Sequence, residues 1–201
     1  MIDLYTFPTP NGRKPAIMIE EVGLPYTVHK IDITKGEQFS PEFVAINPNS
    51  KIPAIIDQET GITVFESGAI LIYLADKIGK LIPTDIARRI EVIEWLMFQM
   101  ASVGPMFGQL GYFRNFASEK IPFAIDRYEK ETLRLFEVLN KQLEQREFIA
   151  EDYSIADIAT YPWVAAYKYL GVTLDNHPHL RNWVERMQQR PAVQKGMAVL
   201  K

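Results

Sequence analysis

Cysteine is absent from the 201 residues, and no other feature of the sequence excludes as much. Without a thiol there is no disulfide framework, no cysteine nucleophile and no thiolate metal site. Histidine is nearly as scarce, with only His29, His177 and His179. The His177-Pro178-His179 pair sits near a helix start and no carboxylate cluster joins it at metal-ligand spacing. It reads as a surface or capping feature, and no metal is expected. A surplus of positive charge is also missing: the net charge of −3 argues against nucleic acid or an anionic membrane surface as partner. No apolar run approaches the roughly 18 residues of a membrane span. Met1-Ile2-Asp3-Leu4 passes directly into a strand pattern, where a secretory leader would place a basic and then an apolar stretch. A soluble cytoplasmic protein is the expectation.

What the chain does contain is ordinary. Apolar residues at 47% and charged residues at 23% match a globular protein with a sizeable core, one large domain or two small ones. Ile2 to Thr6 alternates like a half-buried strand, and Pro8-Thr9-Pro10-Asn11-Gly12 is a dense turn signal. A helical pattern follows from Lys14, ended by Gly23-Leu24-Pro25. Tyr26 to Ile33 reads as a second strand, and Ser40-Pro41-Glu42 starts a short helix that closes near Ile46-Asn47-Pro48. Ala54 to Asp57 and Ile62 to Phe65 form a hairpin, and Ser67 to Ile78 is an amphipathic helix stopped by Gly79. The opening β-α-β needs a crossover and a parallel pair, while the hairpin is antiparallel, so a mixed sheet is expected.

After Pro83 only helical patterns remain. One runs from Asp85 to Val103 and is interrupted at Gly104-Pro105; a second runs from Phe123 to Arg146. Ser154-Ile155-Ala156-Asp157 resembles a capping box and opens a third, which extends to Tyr169. A fourth starts near Pro178, and Arg190-Pro191 separates it from a last short helix. The expected organisation is a small α/β domain over residues 1–81 and an all-helical domain over residues 86–201.

Two stretches look organised for a ligand. In Asn49-Ser50-Lys51-Ile52-Pro53-Ala54-Ile55-Ile56-Asp57 a proline stands at the entry of a strand, where its missing N–H breaks no ladder bond. A cis Ile52-Pro53 bond would turn the Ile52 backbone outward and free its N–H and C=O for an extended ligand. In Phe65-Glu66-Ser67-Gly68-Ala69-Ile70 a carboxylate and a hydroxyl stand at a helix start, where free N–H groups favour anions. Together they make a site for a peptide-like molecule.

These two runs, with Tyr153-Ser154-Ile155-Ala156-Asp157-Ile158-Ala159, resemble the glutathione transferase family across essentially the whole chain. The resemblance implies α/β plus all-α architecture: a thioredoxin-like domain carrying the glutathione site, then a helical domain. More narrowly, Tyr5 to Gly12, Lys35-Gly36-Glu37-Gln38-Phe39 and Gly104-Pro105-Met106-Phe107-Gly108-Gln109 are similar to the bacterial nu class. Members of that class act mainly as glutathione-dependent disulfide-bond oxidoreductases. The implied partners are glutathione as co-substrate, a small disulfide, hydroperoxide or electrophile, and a second copy of the chain in a homodimer.

The resemblance also assigns roles. Thr9 and Asn11 face the glutathione sulfur; on the residues alone they equally make the turn and cap the first helix. Tyr5 is the competing donor to the thiolate, unless its ring simply packs. Glu66 accepts from the γ-glutamyl ammonium, and Ser67 takes the carboxylate through its hydroxyl and N–H. Ile52, ahead of Pro53, pairs its backbone with the cysteinyl part, as peptides do on a strand edge. Lys51 and Gln38 reach the glycyl end, and Arg127 reaches glutathione from the partner subunit or else forms a surface pair with Glu131. Met106, Phe107, Tyr112, Phe113 and Phe116 line an apolar pocket for a second substrate or pack the core. The chemistry the resemblance implies is thiol–disulfide exchange by a bound glutathione thiolate. The alternative is a module that keeps this fold and binds without catalysis.

Overall fold

The first turn of the chain is built around a glycine. A Cβ at Gly12 would overlap the carbonyl oxygen of Phe7 and lie 2.5 Å from Thr6 Oγ1, so the chain closes tightly between β1 (Ile2–Thr6) and α1 (Pro10–Val22). The computed structural model describes residues 1–200, and these separate into two compact units. The first contains Met1–Ile82 and the segment from Gln189 onward; the second contains Pro83–Gln188.

In the first unit, α1 crosses from β1 to β2 (Tyr26–Lys30), which pairs parallel with β1 from Ile2↔Tyr26 to Thr6↔Lys30. After α2 (Pro41–Ile46), the hairpin β3 (Ala54–Asp57) and β4 (Ile62–Phe65) adds antiparallel to the other side of β1, giving the order β2-β1-β3-β4. A thioredoxin-like mixed sheet results. α3 (Ser67–Ile78) is tied to the sheet by Asp57, which accepts from Tyr73 Oη at 2.6 Å and pairs with Lys77 Nζ at 2.8 Å. Ile17, Met18 and Ile19 of α1 and Ile70, Leu71 and Leu74 of α3 are fully buried, each stabilising by about 1.5–3 kcal/mol.

α9 (Pro191–Ala198) also belongs to the first unit, packed on α1. A Cβ at Gly196 would lie 2.5 Å from the Ile17 N and Cα, so the two backbones touch. Arg190 brackets Glu21 with two bonds of 2.8 and 3.0 Å.

The second unit is helical: α4 (Ile86–Phe98), α5 (Gly104–Gly111), α6 (Pro122–Gln142), α7 (Ile155–Val164) and α8 (Pro178–Gln188). Its core holds Leu96, Phe107, Phe136 and Trp183, all fully buried, with Phe107 and Phe136 meeting edge-to-face at 5.2 Å. Among the described residues no helix is long and apolar enough to cross a membrane.

Several elements differ from the sequence expectation. Helix α1 begins at Pro10, not Lys14, because Thr9 caps it and Pro10 occupies the first helical position; the turn signal was a helix start. Strand β2 ends at Lys30 and α7 at Val164, both short of the expected limits. Gly104-Pro105 does not interrupt the chain's helical course. A π turn over Gln99–Val103 precedes it, with Gly104 N–H bonded to Gln99 C=O, and this wider turn accommodates a proline that has no N–H to give. His177 is buried, not on the surface, its ring edge-on to Phe136 at 5.7 Å.

Candidate functional site

The strand registers gather the candidate residues. Tyr5 pairs with Ala54, and Ala54 pairs with Phe65, so these three lie in one row across the sheet. The turn that follows β1, the approach to β3 and the exit of β4 therefore open at the same end of the sheet. They carry Thr9 and Asn11, residues 51–53, and Glu66 with Ser67. The parallel strand β2 ends at that side too, and the 3₁₀ turn Glu37–Phe39 carrying Gln38 lies between it and α2.

Each segment is shaped locally. Thr9 is extended and caps α1, its Oγ1 accepting from Gly12 N–H at 3.1 Å. Its own hydroxyl hydrogen has no acceptor among the described residues. Asn11, half-buried, occupies the second position of that helix. Thiol-free, this turn places a hydroxyl and an amide at the N-terminus of α1, where Pro10 has no N–H and the Gly12 N–H is taken by Thr9.

Residues 51–53 approach β3 through a cis Ile52-Pro53 bond. Asn47 fixes this approach, its Nδ2 donating to the Lys51 carbonyl at 2.6 Å. Ile52 stands two residues ahead of Ala54, outside both β3 ladders. Lys51 is exposed and Ile52 half-buried. Gln38 is also half-buried, and its Oε1 is enclosed without a partner among the described residues.

Glu66 sits at φ 68° and ψ 118°, a conformation that costs a non-glycine residue of order 1–3 kcal/mol. It is exposed, whereas Ser67, the first residue of α3, is buried. The Glu66 carbonyl still accepts from Ile70 N–H at 2.9 Å, so the strain is held by the helix that follows.

Beneath Ser67 lies a residue that sequence reading missed. Lys14 is fully buried in α1 and its Nζ donates to Ser67 Oγ at 3.3 Å. Burial pulls the ammonium down to about 7, partly opposed by the Glu66 charge. A signal was present: Lys14 stands three and four residues before Ile17 and Met18, on the stripe that turns inward.

Two other candidates are engaged differently. Tyr5 is half-buried and stacked on His29, with centroids 4.6 Å apart, and burial pushes its phenol up. Arg127 is exposed on α6 in the second unit. There Glu131 is bracketed by Arg134 at 2.9 and 2.8 Å, so Arg127 contributes charge and not the expected i,i+4 bond. The aromatic cluster divides: Phe107 is core, Met106 and Phe113 are half-buried, and Tyr112 and Phe116 are exposed.

Comparison with known proteins agrees with this architecture. The N-terminal domain of glutathione S-transferases matches residues 1–76 and the C-terminal domain matches residues 105–191. Disulfide-bond oxidoreductase YfcG of Escherichia coli (strain K12) is 47% identical over 207 residues, covering 100% of this chain and 95% of that protein. Disulfide-bond oxidoreductase YghU of the same organism is 42% identical, covering 98% of this chain and 74% of that protein. Among solved structures, a glutathione transferase from Pseudomonas putida with one glutathione disulfide bound per subunit superposes with TM-score 0.93 at 44% identity, covering 100% of this chain and 92% of that one. One from Burkholderia graminis, with two glutathione molecules bound per subunit, gives 0.94 at 48% identity, covering 100% and 88%. The chain belongs to the glutathione transferase family.

Proposed function

We propose that this protein is a glutathione-dependent disulfide-bond oxidoreductase whose only reacting sulfurs are those of its ligands. The observation that carries this is the end of the sheet: a thiol-free turn capped by Thr9 stands in register with the Ile52-Pro53 approach and the Glu66–Ser67 helix start. The names of the relatives support the reaction, and the glutathione bound in related structures supports the ligand.

In this reading Glu66 accepts from the γ-glutamyl ammonium, and Ser67 offers its N–H and hydroxyl to the adjacent carboxylate. Ile52 pairs with the cysteinyl backbone ahead of Pro53. Lys51 and Gln38 meet the glycyl carboxylate, and Arg127 reaches the ligand from a second subunit of a two-fold dimer. Thr9, Asn11 and the N-terminus of α1 favour the thiolate over the thiol, because anionic sulfur gains most from fixed donors and a helix dipole.

The thiolate attacks one sulfur of the substrate disulfide, forming one S–S bond while the other breaks and releases a thiolate that takes up a proton. A second glutathione thiolate attacks the glutathione sulfur of the mixed disulfide. Glutathione disulfide leaves with the second substrate thiol, and two electrons have passed from two glutathiones to the substrate. The same thiolate would also attack hydroperoxides or electrophilic carbon; the names of the two relatives support disulfides as the first choice.

Turnover of hydroxyethyl disulfide by the pure protein, with glutathione and glutathione reductase, tests the proposal. Saturable reduction well above the uncatalysed rate is expected. Glutathione binding with only the background rate would identify a binding module instead.

A further inference from the structure

A charged residue on a helix ordinarily faces water, yet Lys14 has no exposed surface at all. Its ammonium lies in the first unit between α1 and the start of α3, bonded to a buried hydroxyl and within the field of Glu66. Burying an ammonium is expensive, and an apolar side chain of the same length would usually stabilise the fold more. The charge therefore has to serve something beyond packing.

Its position says what. An ammonium only donates, so at 3.3 Å the Ser67 oxygen accepts from Lys14 and directs its own hydrogen away from it. The Ser67 side chain is thereby held from the core side, and a positive charge stands behind the helix start. We propose that Lys14 is a positioning residue for the γ-glutamyl carboxylate of the ligand, fixing the Ser67 hydroxyl from below and supplying the countercharge for an anion at the start of α3. This rests on the reading of Glu66 and Ser67 as the γ-glutamyl anchor, and it adds to that anchor a group one layer inside the protein.

The test uses two ligands and three proteins. Glutathione is compared with 4-aminobutyryl-cysteinyl-glycine, which keeps the amine and thiol and lacks only the α-carboxylate. Wild type, Lys14→Met and Lys14→Arg are titrated by calorimetry. Lys14→Met should bind glutathione about tenfold or more weakly and the truncated ligand within about twofold of wild type, since only the carboxylate senses the charge. In turnover the loss should fall on KM for glutathione, with kcat within about twofold. Lys14→Arg should recover part of the affinity, which a bulkier group in a merely structural role would not do.

Equal effects of Lys14→Met on both ligands, or none on either, would overturn the role of Lys14 and leave the anchor standing. No glutathione binding by wild type, or equal affinity for the two ligands, would overturn the anchor itself and this inference with it. Thermal unfolding confirms that the methionine variant is folded. Where it is not, Lys14→Gln, which keeps a donor and drops the charge, carries the same comparison.

Discussion

Of the charged side chains buried in this protein, Lys14 in the first unit and Asp157 in the second are handled in opposite ways. Asp157, in the second unit, is ringed by donors: Ile149 N–H at 3.0 Å, Ser154 N–H at 3.0 Å, Ser154 Oγ at 3.3 Å and Trp183 Nε1 at 2.9 Å. These bonds cap α7, fix the preceding loop and orient a fully buried tryptophan of α8. Lys14, in the first unit, instead stands directly under a helix start whose outer face carries the proposed ligand anchor. One charge is spent on folding. The other is kept in the core for the sake of what binds above it.

The sharpest break of this comparison is at Asp157. Asp157→Ala leaves several buried donors unpaired and should cost about 3–5 kcal/mol in urea unfolding. A cost under about 1 kcal/mol would mean the ring of donors is not what holds the unit. Lys14→Met should act in the other direction, raising stability at neutral pH by about 1–4 kcal/mol while weakening glutathione binding.

The pH dependence separates the two charges further. Lys14 titrates near 7 in the folded chain and at 10.5 when unfolded, so the unfolded chain binds more protons between those values. Wild-type stability therefore gains with pH across that window, and the advantage of Lys14→Met should be largest below pH 7 and shrink towards pH 10. For Asp157 burial pushes the carboxyl up to about 6, against the pull of Ile149 N–H and Trp183 Nε1. There the folded chain holds the proton longer, so its contribution falls as pH rises from 3.8 to about 6. Parallel slopes for Lys14→Met and wild type from pH 6 to 10 would contradict the sign for Lys14.

At the surface of the site the effects are smaller. Glu66→Ala should raise KM for glutathione about 10–30-fold, or about 2 kcal/mol, and leave thermal stability nearly unchanged, because alanine keeps the same strained backbone at positive φ. Thr9→Val should lower kcat/KM about tenfold and remove the cap of α1, whereas Thr9→Ser keeps both cap and hydroxyl and should retain most of the activity. An active Thr9→Val enzyme would assign Thr9 to capping alone.

How far the sequence revealed this depends on the kind of signal. The β3–β4 hairpin and α3 were legible to the residue and α2 nearly so, because each is bounded by proline, glycine or a serine cap and the apolar period changes there. The start of α1 was not, because Pro8-Thr9-Pro10-Asn11-Gly12 looks the same whether it makes a loop or opens a helix. Nor was the return of α9 to the first unit: an eight-residue helix shows which face is apolar but not which surface it covers, and the Gly196 contact with Ile17 exists only in three dimensions. Gly104-Pro105 misled for a similar reason, since a π turn upstream removes the bond that proline cannot make. Of the candidate site, the motifs named the residues at the sheet end, and the registers gave the reason they meet. Lys14 escaped because a lysine on a helix is assigned to water by default.

The measurement that bears most directly on the central claim is the ionisation of glutathione on the protein, followed by the ultraviolet absorbance of its thiolate as pH is raised. Bound glutathione should ionise well below the value near 8.5 of a free thiol, and Thr9→Val should return it towards that value. A bound thiol that titrates like the free one, or a protein that takes up no glutathione at millimolar concentration, would contradict the account.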